Sequence, residues 1–196
     1  MRHGISRVVA GLLSTVTLAV LTGCVTSGPA PAPNPMVAQA PEWVNKGSGA
    51  FKDSGNGMVF YGVGSVSGVR NRSLAITAAD DRARAEVAKI MNTYVAALTK
   101  SYAASTMAGD PSKSSEEQHI ESTMKSFAKF TLHGAIIVDH FKDDSDGTIF
   151  SLCKLDMAAV KKSLDESKDL DSKARDFVRT NAEKAFDEVS AEEAKH

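Results

Sequence analysis

Cys24 carries the clearest covalent chemistry in this chain. It closes Leu21-Thr22-Gly23-Cys24, which has the form of a bacterial lipobox, where a cysteine thiol takes a diacylglycerol and the amine freed by cleavage takes a third acyl chain. The residues before it fit that chemistry. Arg2 and Arg7 come first, then an apolar run from Val8 to Val20 softened by Ser14, Thr15 and Thr17. The run is 13 residues long, short of the roughly 20 that a spanning helix needs. A basic start, a short apolar stretch and small residues at the cut make a secretory signal. Burial contributes about 0.8 kcal/mol per CH₂, so one acyl chain holds a protein only marginally and two or three hold it firmly. The reading is therefore a signal peptide over residues 1–23, with Cys24 the lipidation site and a membrane reached through its lipid.

Other residue sets offer chemistry that their spacing does not complete. The second cysteine is Cys153, and with Cys24 acylated no intrachain disulfide can form. Phe150 to Leu155 reads as a strand, which makes Cys153 a small buried apolar residue, with Lys154 on the opposite face. Gly62-Val63-Gly64-Ser65-Val66-Ser67-Gly68 invites a dinucleotide reading, but it misses GxGxxG by one residue. The region where a ribose-binding acid should follow is mid-helix. Glycines there instead suit a close approach of a helix to a strand. Asp144-Ser145-Asp146-Gly147 looks like the start of a calcium loop, yet the cage would need acids at positions held by Lys142 and Cys153. A hairpin turn accounts for the same residues. His119, His133 and His140 lack zinc-site spacing. His133 and His140, placed on one strand, would face opposite sides unless a bulge intervened at Gly134. No Ser-His-Asp or Cys-His arrangement is recognisable. The expectation is no catalytic residue, no metal, no cofactor and no enzymatic activity.

Removal of residues 1–23 would leave 173 residues with 21 basic and 24 acidic side chains, a net charge of −3. That length suits one domain with a real core. So small a net charge gives no electrostatic case for nucleic acid or for adhesion to anionic lipid. Residues 24–40 read as the acylated cysteine and a tether. Pro29, Pro31, Pro33 and Pro35 alternate there, favouring an extended spacer that reaches on the order of 50 Å. The globular part is then expected over 41–168, with a charged amphipathic helix over 169–196.

Within the globular part, Trp43 in Pro41-Glu42-Trp43-Val44 is the sole tryptophan and is expected to seal the core edge. After a loop over 53–57, residues 58–66 read as a strand. Ile76, Ala79, Ala83, Val87, Ile90, Tyr94, Leu98 and Tyr102 recur at steps of three and four, the mark of a long helix over about 72–105. Asn71 or Ser73 would cap it. The stripe places Ile76, Val87, Ile90 and Leu98 in the core, with Asp80–Arg84 and Arg82–Glu86 as exposed i,i+4 pairs. Gly109-Asp110-Pro111 ends the pattern. Ser114 and Glu117 form a capping box for a shorter helix that points Ile120, Met124 and Phe127 inward. Residues 129–141 and 148–155 read as the arms of a hairpin. Asp156 would cap a helix carrying Met157, Val160 and Leu164. The tail shows a last stripe of Leu170, Ala174, Phe177, Val178, Ala182, Ala185, Phe186 and Val189, which must cover either its own domain or another copy. The sum is an α+β domain: a small antiparallel sheet, the long helix packed across it and C-terminal helices.

Taken in order, the lipobox, Pro41-x-Trp43-Val44, Tyr61-Gly62-Val63-Gly64, Ala83-Arg84-Ala85-Glu86-Val87-Ala88 and the hairpin from Gly134 to Leu155 resemble the LPP-twenty family, the Helicobacter-type twenty-kilodalton outer-membrane lipoproteins. The resemblance covers roughly residues 41 to 165, and the charged tail after residue 168 lies outside the pattern. It implies an outer-membrane lipoprotein without catalytic residues, some of whose relatives are flagellum-associated and assemble in rings. The functional expectation is a lipid-anchored envelope protein acting in protein–protein interaction or assembly, by a protein partner or self-association. The alternative is a periplasmic or surface module that binds a small ligand or an envelope polymer.

Overall fold

The long stripe does make one helix, and that helix organises everything else. The computed structural model describes residues 39–55, 57–106, 114–168 and 170–195, with the side chains of 106 and 114–119 left aside. Cys24 and residues 25–38 lie outside the described residues, as do Gly109-Asp110-Pro111 and the side chains of Ser114, Glu117 and His119. Along the chain come α1 (Glu42–Lys46), β1 (Gly49–Asp53), β2 (Gly57–Val66), α2 (Arg72–Thr106) and α3 (Ser114–Thr131). A 3-10 turn (Leu132–Gly134), β3 (Ile136–Lys142), β4 (Ile149–Asp156), α4 (Met157–Glu166) and α5 (Ser172–Glu193) follow. The four strands form one antiparallel sheet in the order β1-β2-β4-β3. α2 packs across β2 and β4, and the fold is the expected α+β.

Alternation along the strands gives the sheet two unlike faces. Phe60, Gly62, Gly64 and Val66 of β2 pair with Leu155, Cys153, Ser151 and Ile149 of β4, and all eight are buried toward α2. α2 answers with Ala75, Ala79, Ala83, Val87, Ile90, Met91, Tyr94, Val95 and Leu98. Ile76 is a correction, being only half-buried. The buried row starts one residue earlier, at Ala75, because the helix meets the sheet there through its small side chains. The glycines explain the closeness. A Cβ at Gly64 would overlap Ala79 O and Ala83 N, and one at Gly62 would lie 2.8 Å from Val87 N. Backbone meets backbone with nothing between, as the sequence reading expected of these glycines.

Two helix ends follow the expected chemistry, at Asn71 and Asp156, and Asp171 adds a cap that the sequence reading did not name. Asn71 Oδ1 accepts from Leu74 N at 3.1 Å, Asp156 Oδ1 from Ala159 N at 2.7 Å, and Asp171 Oδ1 from Ala174 N at 2.7 Å. Ile120, Met124 and Phe127 are buried, as are Met157, Val160 and Leu164. The tail stripe covers its own domain. Ala174, Val178, Ala182, Ala185, Phe186 and Val189 join the main core. Phe186 lies 5.1 Å from the Phe60 ring and half-buried Phe177 5.0 Å from Tyr102. Arg175 Nη2 donates to Ser167 O at 2.7 Å and Leu170 O at 3.2 Å, pinning the link from α4.

Four further expectations are corrected. The region 129–141 is not all strand, because α3 runs to Thr131, whose Oγ1 bonds Phe127 O at 2.9 Å and keeps the turn helical. β1 is an additional strand, so Asp53 and Gly57 belong to strands rather than to a loop. The register shift falls between Ile137 and Asp139, at Val138 rather than at Gly134. The charge pairs along α2 take other partners: Asp80 binds His140, Arg82 reaches Ser65 O, Arg84 sits 3.7 Å from Asp81, and Glu86 binds Lys89 at 2.6 Å.

Candidate functional site

The face of the sheet turned away from α2 holds the most distinctive surface. Pairing places Tyr61 beside Lys154, Val63 beside Leu152, and Ser65 beside Phe150 on that face, with Phe51 of β1 opposite Val59. β3 adds Ile136 opposite Lys154, Asp139 opposite Leu152, and Phe141 opposite Phe150. α1 crosses this face, and Trp43 does not seal the core. It lies half-buried on the open face, donating Nε1–H to Asp139 Oδ2 at 2.9 Å. An aromatic ring with one polar edge is suited to such a half-wet position.

Between α1 and the β1–β2 ladder lies a groove of about 450 Å³, where Trp43, Phe51, Tyr61 and Leu152 share the lining with Glu42, Lys46, Lys52 and Asp53. Its groups are held rather than loose. Tyr61 OH donates to Asp53 Oδ2 at 3.0 Å. The Phe51 and Tyr61 rings are 6.2 Å apart, and Lys46 Nζ sits 4.3 Å from the Phe51 centroid, within cation–π range. Lys52 is bound to Asp187 of α5 at 2.8 Å. The result is an aromatic centre with charged neighbours, the composition that concentrates binding energy at protein interfaces. Only the single tryptophan signalled this site in the sequence. Phe51 and Tyr61 are far apart in helical or strand periodicity and meet through the β1–β2 turn.

The residues that offered chemistry are placed as follows. Cys153 is fully buried in β4, and burial pushes its thiol above the ordinary range, with the Arg84 charge opposing. A thiol in that setting is inert rather than nucleophilic. His133 lies in the 3-10 turn, its Nδ1 3.0 Å from Phe130 O. His140 lies on β3 with Nε2 2.7 Å from Asp80 Oδ1, so the two histidines are not brought together. Ser151 sits across the ladder from His140. It is wholly buried, and its Oγ has no hydrogen-bond partner among the described residues. Ser151, His140 and Asp80 therefore share one region without a serine–histidine hydrogen bond among the described residues.

The acidic loop resolves into turn chemistry. Asp143 Oδ1 accepts from Ser145 N and Asp146 Oδ1 from Thr148 N, both at 2.8 Å, while Lys142 binds Asp144. Gly147 takes φ +78°, a conformation that favours glycine. The hydrogen bond from Lys142 holds the Asp144 carboxyl below its ordinary range, and the Thr148 amide does the same for Asp146. Among the described residues no group of three or more His, Cys, Asp or Glu is placed to hold a metal ion, and no helix is long and apolar enough to cross a membrane.

Comparison of the chain with models of known protein families, with curated proteins and with solved structures finds no match.

Proposed function

We propose that this chain is a non-enzymatic lipoprotein of the bacterial outer membrane, anchored through Cys24, whose domain works by binding another protein. The anchor rests on the lipobox and its flanking signal. The outer-membrane placement rests on Val25-Thr26-Ser27 after the cysteine, where lipoproteins kept at the inner membrane of enteric bacteria commonly carry Asp, and on the resemblance to the LPP-twenty lipoproteins. That resemblance also extends the reading to assembly, including assembly around a flagellum. The observation that carries the binding role is the groove of Trp43, Phe51 and Tyr61 with its charged neighbours. A second reading, a module for a small ligand or envelope polymer, is favoured by the groove's volume of about 450 Å³, inside the range of roughly 300–1,000 Å³ usual for ligand sites.

Two measurements test these readings together. Cys24→Ser should abolish labelling by palmitate, and retained labelling would overturn the anchor. A photo-crosslinking residue in place of Phe51, used in living cells, should give an adduct of defined protein mass that Tyr61→Ala removes. Adducts made only of polymer fragments or small molecules would replace the binding role with the second reading.

A further inference from the structure

The two edges of the sheet are treated differently. The β1 edge is covered by α5: Glu193 Oε2 accepts from Ala50 N at 2.6 Å, and Asp187 holds Lys52. β3 and the end of α3 that leads into it carry exposed apolar side chains instead. Phe130 is 43%, Ile136 57% and Val138 44% exposed, three large hydrophobic residues within nine positions of one another. The remaining exposed large hydrophobics among the described residues, Val69 and Leu74, follow the opposite end of β2.

Strand addition is not what this edge is built for. The register breaks at Val138, and Asp139 Oδ1 takes the His140 N–H at 2.8 Å. A bulge and a side chain that occupies a backbone donor are the devices by which edges refuse another strand. What remains on offer is apolar side-chain surface, with exposed Lys129 and His133 beside it.

The course of the chain says what can cover that surface. The described domain begins at Gln39, and four residues later Trp43 is fastened to Asp139, the neighbour of Val138. The described chain therefore begins within a few residues of a contact with β3. Fifteen residue steps separate Cys24 from Gln39, a span of at most about 50 Å. From these facts we infer that Phe130, Ile136 and Val138 rest on the lipid surface in which the anchor sits. This inference rests on the proposed anchor. Apolar residues beside a basic and an aromatic one suit the boundary between headgroups and acyl chains.

Trp43, the only tryptophan, is a built-in reporter. The purified chain is placed in vesicles of phosphatidylethanolamine and phosphatidylglycerol with brominated acyl chains, and its acylation is read by mass spectrometry on the same sample. Trp43 emission should fall, and the triple variant Phe130→Ser, Ile136→Ser, Val138→Ser should lose most of that fall while remaining anchored. Leu74→Ser should leave it intact. Equal quenching in the wild type and the triple variant, no quenching in either, or an equal loss with Leu74→Ser would each overturn the inference. A triple variant that keeps its quenching but loses a protein crosslink would assign the patch to a protein and overturn it too. If the chain carries no acyl group, the anchor fails separately. Flotation of the unacylated wild type and triple variant with the same vesicles then decides the patch: binding lost in the variant supports it, and no binding by the wild type refutes it.

Discussion

Gly64→Ala should unfold this domain far more readily than its one added methyl suggests. The new Cβ would overlap Ala79 O and Ala83 N and lie 2.8 Å from Arg82 Cβ. Carbon atoms prefer about 3.5–4.0 Å, so α2 must lift from the sheet by on the order of 1 Å. Neither obstructing backbone atom can rotate away. Overpacked cores cost about 1–3 kcal/mol, and a backbone-on-backbone obstruction belongs at or above the top of that range. The lift would also loosen Ala79, Ala83 and Val87, all fully buried against the sheet. With a urea dependence of about 2 kcal/mol per molar, a loss of 3 kcal/mol lowers the unfolding midpoint by roughly 1.5 M. Far-ultraviolet dichroism during a urea titration reads this directly. Gly55→Ala is the control, since its Cβ would meet nothing nearer than Asp53 Oδ1 at 3.7 Å. It should stay within about 0.5 kcal/mol of wild type. A Gly64→Ala midpoint equal to the control's would refute the reading of these glycines as a packing device.

Other outcomes follow from the same contacts. Deleting residues 170–196 should destabilise the isolated chain, because it removes Phe186 from Phe60 and takes Ala182 O from the buried Tyr94 hydroxyl; thermal melts equal to full length would contradict this. Val87→Asp places an unpaired charge at a fully buried position and should cost several kcal/mol, measured by the same urea titration. Burial raises the Glu193 carboxyl above its ordinary value of about 4.5, the Ala50 amide opposing. A raised carboxyl favours the fold while protonated, so its contribution is complete below about pH 4.5 and is lost as pH rises through the raised value. Relative to Glu193→Gln, wild type should therefore weaken from pH 4 toward neutrality, and parallel stability profiles would refute the assignment. Cys153 should resist thiol reagents until the domain unfolds; rapid labelling in native buffer would show the strand to be open.

How much of this was legible in the sequence depended on whether a pattern was local. α2 was readable because its buried row repeats over many turns, and the glycines of β2 because no ligand motif fitted them. The caps at Asn71 and Asp156 follow from side chains that satisfy amides three residues on, while the Asp171 cap of α5 was not singled out in the sequence. β1 was not legible: Gly49-Ala50-Phe51-Lys52-Asp53 has little alternation, and it becomes a strand because the turn after Asp53 folds it onto β2. Residues 129–135 misled because β-branched Thr131 favours strands by type, while the Ile120–Met124–Phe127 row carries the helix through it. The open-face groove escaped for the same reason as β1. Trp43, Phe51 and Tyr61 are joined by tertiary placement, and only the uniqueness of the tryptophan marked one of them. Charge partners along α2 could not be read by spacing, since Asp80 is claimed by His140 from a strand sixty residues away.

The most direct test of the account is the chemical identity of the mature N-terminus. The protein should be isolated from the outer-membrane fraction of cells that make it, and its intact mass and N-terminal peptide measured. The mature chain should begin at Cys24, carry a diacylglyceryl group on the thiol and be acylated on its amine. A chain that begins elsewhere, or an unmodified Cys24, would contradict it.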